Sequence, residues 1–453
     1  MADSSAHTLS PSVRTEEDLL APFYDACKPR EQWRIGTEAE KCGVYADGSA
    51  VPYEGERGVR AVLAELTKLG WVPHAEVEGG AVLSLLRNDA SITLEPGAQL
   101  ELSGAPLKTI HETKAEMDAH LDEVRTIGAR FGITWLGLGF HPFARREDLS
   151  FVPKLRYGVM REYLPTRGKM GLDMMLRTCT VQANLDYASE ADAIRKLRVS
   201  LRLSPIVGAM FANSPFVEKR ITGERSHRTR VWLDVDPDRS GLLPFAWDEK
   251  PMGFARYVDW VLDCPMFMLK RDEKVVHNTG QTFREFMRVG FSGTTATAED
   301  WITHVNSMFP EVRLKRTLEM RSGDNQPADL VCALQALWKG LLHDEETLAK
   351  VESLVSTLRF EDADRSREDI AKRALRAKLG GRDVAWWANE VLRLAERGLE
   401  AIGDRDAQGR DERIHLATLR TLVEKSDSPA DRVLSQIDPK RDLIPQVIEA
   451  TKL

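Results

Sequence analysis

Strand-like segments whose polar faces carry carboxylates constrain the fold of this chain more than any other feature. The stretch WRIGTEAEK, residues 33–41, alternates polar and apolar side chains at the two-residue period of a β-strand. That period places Glu38 and Glu40 side by side on one face of the strand. Like charges at this spacing repel each other, which raises the question of what the protein holds there.

Three further segments show the same alternation: residues 91–104, 174–187 and 312–324. One face of each segment carries acids, amides, hydroxyls or arginines, and the opposite face is mainly apolar. The polar positions are Glu95, Gln99, Glu101 and Ser103 in the first segment, Thr178, Thr180, Gln182, Asn184 and Asp186 in the second, and Arg313, Lys315, Thr317, Glu319 and Arg321 in the third.

Each segment taken alone is most simply interpreted as the solvated face of an antiparallel sheet, because alternation is the commonest strand pattern. The four segments together favour a binding site. Carboxylates gathered on one concave sheet repel unless they bind a cation, and Mg²⁺ is a hard ion that takes oxygen ligands and substrate phosphates. The neighbouring arginines then bind phosphate or carboxylate groups of a substrate.

A second group of charges lies in residues 224–245, where arginines are interleaved with aspartates. This pattern fits a charged surface loop and a substrate site equally well. Residues 278–286 add a Thr-Gly turn and another arginine. From chemistry alone, the best hypothesis is an enzyme that joins or transfers a phosphoryl group on a sheet holding several Mg²⁺ ions. The arginines concerned are Arg228, Arg230, Arg239 and Arg284.

Composition excludes several classes of protein. The net charge of −7 over 453 residues argues against a general nucleic-acid-binding protein. The five cysteines are scattered and form no C-x-x-C pair, and no apolar run approaches the roughly 20 residues that span a bilayer. The N-terminus also lacks the order of charges and apolar residues seen in a signal peptide. These features predict a cytoplasmic protein that binds neither nucleic acid nor membrane.

Helical periodicity predicts several helices and the domain organisation. Apolar residues recur at helical spacing from Ile110 to Phe131, and Gly132 is expected to end that helix. Ser189 is expected to cap another helix. Residues 1–20 are interpreted as a flexible tail and residues 21–453 as one catalytic domain, of which residues 346–453 form a helical C-terminal portion.

Six stretches closely resemble the plant-type and proteobacterial glutamate-cysteine ligases. They are IGTEAEK, SITLEPGAQLELSGAP, GLDMMLRTCTVQANLDYASEADAIRKLRVSL, MFANSPF, DRSGLLPF and FPEVRLKRTLEMRSGD. The resemblance implies an α+β fold in which a curved antiparallel sheet forms a half-barrel with outer helices, like the catalytic domain of glutamine synthetase. It also implies ATP-dependent ligation of glutamate to cysteine through γ-glutamyl phosphate, with two or three Mg²⁺ ions, in a monomer or weak homodimer.

The same resemblance assigns roles to individual residues. The metal ligands it implies are Glu38, Glu40, Glu95, Glu101, Gln182 and Glu319. The catalytic residues it implies are Arg321, Glu319 and Arg239. The contacts to glutamate and ATP that it implies are Arg228, Arg230, Arg239, Arg284, Lys315, Thr180 and Asn184.

The chain departs from the family at its regulatory disulfides. A bridge kept by many relatives begins just before the TG-x-TFR motif, where this chain has Asn278 and no cysteine follows about fifteen residues on. The plant-specific bridge needs a cysteine where this chain has Lys114, which leaves Cys332 without its partner. The sequence therefore predicts an enzyme without a thiol switch.

Two alternatives to a glutamate-cysteine ligase remain open from the sequence. The first is a related carboxylate-amine ligase that uses the same activation step with another amine acceptor. The second is an inactive homologue that binds a nucleotide or a partner. A degenerate site usually loses metal carboxylates, and all four acidic segments keep theirs.

Overall fold

The computed structural model describes residues 11–75, 79–248, 250–271 and 274–453. Helices and mainly antiparallel strands are mixed along the chain, so the predicted α+β class with a large antiparallel sheet is confirmed. The half-barrel and the likeness to glutamine synthetase stay predictions.

The strands of the described residues fall into one main sheet of nine strands and four two-stranded ribbons. Most are short, because turns and helices interrupt the chain frequently. Their bounds are β1 (Ile35–Val44), β2 (Val72–Ala75), β3 (Val82–Arg87), β4 (Ala90–Leu94), β5 (Leu100–Ser103), β6 (Thr134–Leu136), β7 (Thr180–Leu185), β8 (Phe216–Val217), β9 (Arg220–Ile221), β10 (Ser240–Gly241), β11 (Met268–Arg271), β12 (Lys274–His277), β13 (Phe309–Pro310), β14 (Val312–Leu314), β15 (Leu318–Asp324), β16 (Lys378–Leu379) and β17 (Arg382–Asp383).

The α-helices of the described residues range in length from 6 to 22 residues, and several short 3₁₀ segments lie between them. Their bounds are α1 (Glu16–Tyr24), α2 (Val59–Thr67), α3 (Ile110–Phe131), α4 (Leu155–Tyr163), α5 (Gly171–Arg177), α6 (Glu190–Met210), α7 (His227–Trp232), α8 (Phe254–Asp263), α9 (Phe283–Val289), α10 (Ala298–Val305), α11 (Ala333–Leu342), α12 (Glu345–Val355), α13 (Phe360–Arg373), α14 (Val384–Ile402), α15 (Ala417–Glu424), α16 (Pro429–Leu434) and α17 (Leu443–Thr451).

The main sheet has the strand order β14-β15-β7-β1-β5-β4-β3-β2, and β6 pairs with the far end of β1. All of these pairings are antiparallel. In the register of β1, Glu40 lies opposite Glu101 of β5, and Glu38 lies opposite Gln182 of β7. Residues directly opposite each other share a face, so the register itself brings the predicted acids together.

Two long helices begin and end where the sequence predicts. Helix α3 starts with a capping box, in which Thr109 accepts a hydrogen bond from the Glu112 backbone, and it ends at Gly132 in the left-handed conformation. Helix α6 starts at its predicted cap, Ser189, which accepts from the backbone of Asp192. Capping residues act locally, which is why the sequence reveals them.

Three sequence-based predictions need correction. Residues 174–177, predicted as part of a strand, belong to helix α5, and the strand of that segment begins only at Thr180. Residues 312–324 are not one strand, because β14 and β15 form a hairpin in which Arg313 lies opposite Glu319. Of the predicted flexible tail at residues 1–20, residues 1–10 lie outside the described residues, and residues 11–20 are described. Within the described part, Val13 is buried and bonds to the Ala296 carbonyl, and α1 begins at Glu16. The capping box at the start of α1 explains this local order.

Residues 345–453 are helical apart from 3₁₀ segments, turns and the β16–β17 hairpin. Helix α14 packs against α11 through glycines, Gly340 and Gly398, whose backbones approach closely. A Cβ built on Gly340 would lie 2.8 Å from the carbonyl carbon of Ala395. Real side chains do not reach that distance, so this contact requires glycine.

Gly340→Ala is therefore expected to lower the free energy of unfolding by ~1–3 kcal/mol, since the added methyl group forces α11 and α14 apart. Gly158→Ala is the matched control, because Gly158 lies on the exposed face of α4 and no atom lies within 4 Å of its added Cβ. That change should be neutral or stabilising by up to ~1 kcal/mol. Urea unfolding of both variants checks the prediction, and equal stability of the two would contradict it.

All five cysteines lie within the described residues and are free thiols. Cys179 is fully buried in the core. Cys332 lies near Lys114, whose charge acts on its pKa, although burial dominates and raises that pKa to about 12. Among the described helices, none combines the length and apolar character needed to cross a bilayer.

Candidate functional site

A cavity of about 520 Å³ lies over the centre of the main sheet. Its floor is formed by side chains of β1, β5, β7 and β15, the strands that carry the predicted acids and the Glu319–Arg321 pair. Its walls come from α4, α7, β11 and α10. The site therefore combines segments that are up to nearly 300 residues apart in the sequence.

One side of the floor is acidic and is formed by Glu38, Glu40, Glu95 and Glu101. Hydrogen bonds from adjacent strands of the sheet hold three of these carboxylates. The Thr180 backbone N–H donates to Glu40 over 2.9 Å, and the Asn184 amide donates to Glu38 over 2.9 Å. The Thr93 hydroxyl donates to Glu101. These contacts orient the carboxylates without neutralising them.

Burial and mutual repulsion raise the pKa values of Glu38, Glu40 and Glu101. Burial, followed by the charge of Glu319, raises the pKa of Glu38 to about 7. Burial, followed by the charges of Glu95 and Glu101, raises the pKa of Glu40 well above its ordinary value. Burial and Glu95 likewise raise the pKa of Glu101. A group of acids in this state gains from any cation that binds there.

The free energy of unfolding of the metal-free protein should accordingly fall as pH rises from about 4.5 to about 7. Between these pH values Glu38 keeps its proton in the folded state and loses it in the unfolded state. A rise in pH therefore favours the unfolded state. Urea unfolding in chelator at pH 5 and pH 7.5 measures the change. Wild type should lose ~1–3 kcal/mol more than Glu38→Gln, and an equal loss would contradict the assignment.

The other side of the floor is cationic and surrounds Glu319, which is fully buried. Arg313 donates to this carboxylate from Nε and Nη2, at 2.7 Å from Nη2 to Oε1, and Lys315 also pairs with it. Arg321 donates to Glu319 and to the side-chain oxygen of Gln182, at 2.9 Å. Burial opposes ionisation of Glu319, yet these cations hold its pKa well below its ordinary value.

The acidic donor set fits a hard divalent cation, because carboxylate oxygens are the ligands such ions prefer. No three acids, histidines or cysteines of the described residues converge on one point. Each ion would therefore take one or two carboxylates and complete its shell with water or substrate phosphate, which is usual for Mg²⁺. Glu319 and Gln182, predicted as further ligands, here bind Arg321 instead.

Of the predicted arginine contacts, the structure brings Arg228 into the cavity and leaves Arg230, Arg239 and Arg284 outside its lining. Arg228 and Arg230 lie two residues apart on α7, so they point in opposite directions. Arg230 pairs with Glu224 at 3.1 Å, and neither residue lines the cavity.

Arg239 and Arg284 have partners of their own. Arg239 is fully buried, pairs with Asp236 at 2.7 Å and stacks over Phe267 at 3.9 Å from the ring centre. Arg284 is exposed and pairs with Asp259 and Asp263. Both arginines therefore hold local structure in the described residues.

Sequence reasoning missed the wall formed by α4. Lys154 and Arg156 line the cavity with the acids, and their charged groups lie 5.5 and 5.1 Å from the centre of the Tyr157 ring. The Lys154 ammonium donates to the Leu94 carbonyl over 2.6 Å. The one feature of the sequence that could have indicated this wall is the short basic and aromatic run at the start of α4. Such runs are common on exposed helices, so this one does not by itself indicate a binding site.

Comparisons with known proteins agree with this geometry. The family model described as glutamate-cysteine ligase family 2 matches residues 34–449. The chain belongs to this family. Glutamate–cysteine ligase B, chloroplastic, of Oryza sativa subsp. japonica is 43% identical to this family member over 431 residues, which are 94% of this chain and 84% of that protein. The chloroplastic enzyme of Arabidopsis thaliana is 41% identical over 423 residues, covering 93% and 79%.

Solved structures show that the family member shares its fold with more distant proteins. A Francisella tularensis glutamate–cysteine ligase in complex with AMP has a TM-score of 0.54 at 12% identity, covering 92% of this chain and 87% of that one. A bifunctional glutathione synthetase from Pasteurella multocida has a TM-score of 0.51 at 15% identity, covering 96% and 52%. This family member thus corresponds to about half of the bifunctional protein.

The predicted cytoplasmic location is contradicted by these comparisons. The rice, Arabidopsis thaliana and Brassica juncea relatives are all chloroplastic enzymes. The sequence-based argument used the cysteine pattern and the N-terminus. Scattered cysteines indicate a reducing environment and do not identify the compartment.

Proposed function

We propose that this chain joins L-glutamate to L-cysteine at the expense of ATP and forms γ-glutamylcysteine, the first step of glutathione biosynthesis. The observation that carries the proposal is the cavity of a family member in which an acidic side and a cationic side share one floor. Cations suit the phosphates of ATP and the carboxylates of both amino acids, and the acids suit the ions that accompany ATP.

In the first step, an oxygen of the glutamate γ-carboxylate attacks the terminal phosphorus of ATP. A bond forms between the carboxylate oxygen and the γ-phosphorus, the bond between the γ-phosphorus and the oxygen that bridges to the β-phosphate breaks, and ADP leaves. Arg321 and Lys315 line the cavity and carry positive charge toward the transferred phosphoryl group. Such fixed charges stabilise the transition state because they need no reorganisation during the reaction.

In the second step, the amine of cysteine attacks the acyl carbon of γ-glutamyl phosphate, and inorganic phosphate leaves. The acyl phosphate is already activated, so no protein nucleophile is required. This fits the buried and unreactive state of Cys179, whose pKa burial raises well above the ordinary value.

Divalent cations, when bound, neutralise the triphosphate and polarise the transferred group. We infer two or three Mg²⁺ ions held by Glu38, Glu40, Glu95 and Glu101. Gln182 and Glu319, which the family resemblance also implies as ligands, hold Arg321 beside them. Thr180 and Asn184 support this proposal indirectly, since they hold Glu40 and Glu38 in place.

We further infer that residues 21–453 form a single catalytic domain, supported by a large hydrophobic cluster that contains side chains from Val13 to Val423. A smaller cluster packs Val433 and Val447 against Val44 of β1. A half-barrel like that of glutamine synthetase is supported by acids of separate strands facing one cavity. A monomer or weak homodimer is the proposed assembly.

Mass spectrometry of the product formed from ATP, Mg²⁺, glutamate and cysteine tests the proposed activity. The expected product is γ-glutamylcysteine, with one ADP and one phosphate released for each molecule. Omitting cysteine should leave little ADP formation. If cysteine gave no product while another amine did, the activation step would stand and the acceptor would be wrong.

Activity should not depend on thiol redox state. The described cysteines are unpaired, and the positions needed for the family's regulatory bridges lack one or both cysteines. Turnover after incubation with dithiothreitol or with oxidised glutathione should agree within about twofold. A loss of several-fold with reductant that oxidant reverses would show a switch through other residues.

A further inference from the structure

Three sequence motifs meet at one buried carboxylate that the proposed chemistry leaves without a role. They are the glycines of GLGF at residues 137–140, the Asn-Ser pair of MFANSPF and the RSGD stretch that ends β15. Asp324, the last residue of β15, is 1% exposed and contacts the other two motifs.

Asp324 accepts hydrogen bonds from three neighbours. Its Oδ2 accepts from the Asn213 backbone N–H and from the Ser214 hydroxyl, both at 2.7 Å. Its Oδ1 accepts from the Ser226 hydroxyl at 2.9 Å. An ionised carboxylate can only accept hydrogen bonds, so each serine hydroxyl donates its single hydrogen to Asp324.

Because each serine hydroxyl donates to Asp324, its oxygen is left to accept hydrogen bonds from the backbone. With its proton committed, Ser214 Oγ accepts from the backbone N–H of Arg228 at 3.1 Å. Ser226 Oγ in turn accepts from the backbone N–H of Thr229 at 3.0 Å and caps α7. Asp324 thus orients the first turn of α7 through two hydroxyl groups.

Arg228 extends from this turn into the cavity. Its guanidinium donates to the Arg321 carbonyl at 2.8 Å, and Nη1 lies 3.9 Å from Asp324 Oδ1. Arg228 is 4% exposed, and its Nε has no hydrogen-bond partner among the described residues. Arg228 also lines the cavity, so its anchored guanidinium places a positive charge where an anionic group of a substrate can bind.

We propose that Asp324 is a positioning residue that holds Arg228 for an anionic substrate group, a carboxylate or a phosphate, in the reaction proposed above. Asp324 itself does not line the cavity. It acts through Ser214, Ser226 and the fixed start of α7. The inference rests on the proposed function for the identity of the substrates, but not for the binding of an anion.

Gly139 supplies an independent way to disturb the same group. A Cβ added to Gly139 would lie 2.7 Å from Asp324 Oδ2. Gly139→Ala should therefore push the carboxylate away from the serines without changing any charge. The glycine of the GLGF motif is explained by this close approach to Asp324.

The test measures kinetics and binding for Asp324→Asn, Arg228→Lys and the double variant. An amide is uncharged and donates as well as accepts, so Asp324→Asn removes the negative charge near Arg228 and turns one serine hydroxyl away from residue 324, as that of Ser226 can do toward Thr229 Oγ1. We expect KM to rise about tenfold or more for glutamate or for ATP, and Arg228→Lys to raise KM for the same substrate. In the double variant, Asp324→Asn should have little further effect, as for residues acting as a unit.

Asp186→Asn is the matched control. Asp186 is 2% exposed, lies outside the cavity lining and pairs with Lys28 at 2.8 Å and with the Arg34 backbone. It should lower the melting temperature and leave every KM within about twofold. Gly139→Ala should repeat the KM change of Asp324→Asn.

Calorimetric titration of ATP and of glutamate into the same folded variants separates this proposal from the proposed function. If wild type forms no γ-glutamylcysteine, the proposed function fails, and a weaker dissociation constant in Asp324→Asn and Arg228→Lys would still support the positioning role. Unchanged KM and dissociation constants in Asp324→Asn, with only a lower melting temperature, would overturn it. Independent, multiplicative effects in the double variant would also overturn it.

Discussion

Glu319→Gln should remove most of the ligase activity and lower the free energy of unfolding by ~3–5 kcal/mol. Glu319 is fully buried and is the shared partner of Arg313, Lys315 and Arg321. The amide keeps the shape of the side chain and removes its charge. The three cations are then left in one buried group without a counter-charge, which destabilises the folded state.

Activity should fall for a related reason. Arg321 faces the cavity and is held between Glu319 and Gln182. Without the carboxylate, repulsion among the cations displaces Arg321 from the position that stabilises the transferred phosphoryl group. A loss of ~10²-fold or more in kcat is expected for a displaced electrostatic group.

Urea unfolding and steady-state kinetics on the same preparations check both parts. Glu412→Gln is the matched control, because Glu412 is also buried and pairs with a lysine, Lys339 at 2.7 Å, outside the cavity lining. It should lose stability yet keep kcat near wild type at temperatures where it is folded. Full activity in Glu319→Gln would rule out a role for the cation cluster.

Glu40→Gln should also inactivate the enzyme, but it should stabilise the free protein. Glu40 lies directly opposite Glu101 across the β1–β5 pair, and burial together with Glu95 and Glu101 raises its pKa well above the ordinary value. The amide oxygen can still accept from the Thr180 backbone. Removing one like charge from a cross-strand pair gains up to ~1 kcal/mol.

Loss of activity follows because the same carboxylate is proposed to hold a divalent cation. We expect kcat to fall ~10²-fold or more, as for other removed charge-stabilising groups. Mg²⁺-ATP should raise the melting temperature of wild type, since a ligand at 100 times its Kd adds ~2.7 kcal/mol. The increase should be smaller in Glu40→Gln.

The combination of a more stable free protein and a lower response to Mg²⁺-ATP is the diagnostic result. Glu116→Gln serves as the control, because Glu116 is partly buried outside the cavity lining and burial raises its pKa without a like-charged neighbour. It should keep the activity and the thermal response of wild type. A Glu40→Gln protein that is less stable and fully active would refute the cation site.

The opposite signs expected for Glu319 and Glu40 come from their surroundings, although both are glutamates on neighbouring polar faces of one sheet. Cations enclose the first, and acids face the second. Alternation in the sequence identifies both positions. It does not say which charges lie across the strand, because cross-strand partners depend on the order of strands in the sheet.

The sequence by itself determined the features that depend on neighbours along the chain. The face shared by Glu38 and Glu40, the caps of α3 at Thr109 and Gly132, and the cap of α6 follow from backbone period and local hydrogen bonds. The long motifs were also sufficient to indicate the family.

Only the tertiary structure decided the features that depend on distant segments. It turned residues 312–324 into a hairpin, placed Arg230, Arg239 and Arg284 outside the cavity, and brought Asp324 to the start of α7. The physical reason is that an arginine or a carboxylate pairs with whichever opposite charge the fold brings within reach. That partner is set by long-range packing, which the local pattern of residues does not encode.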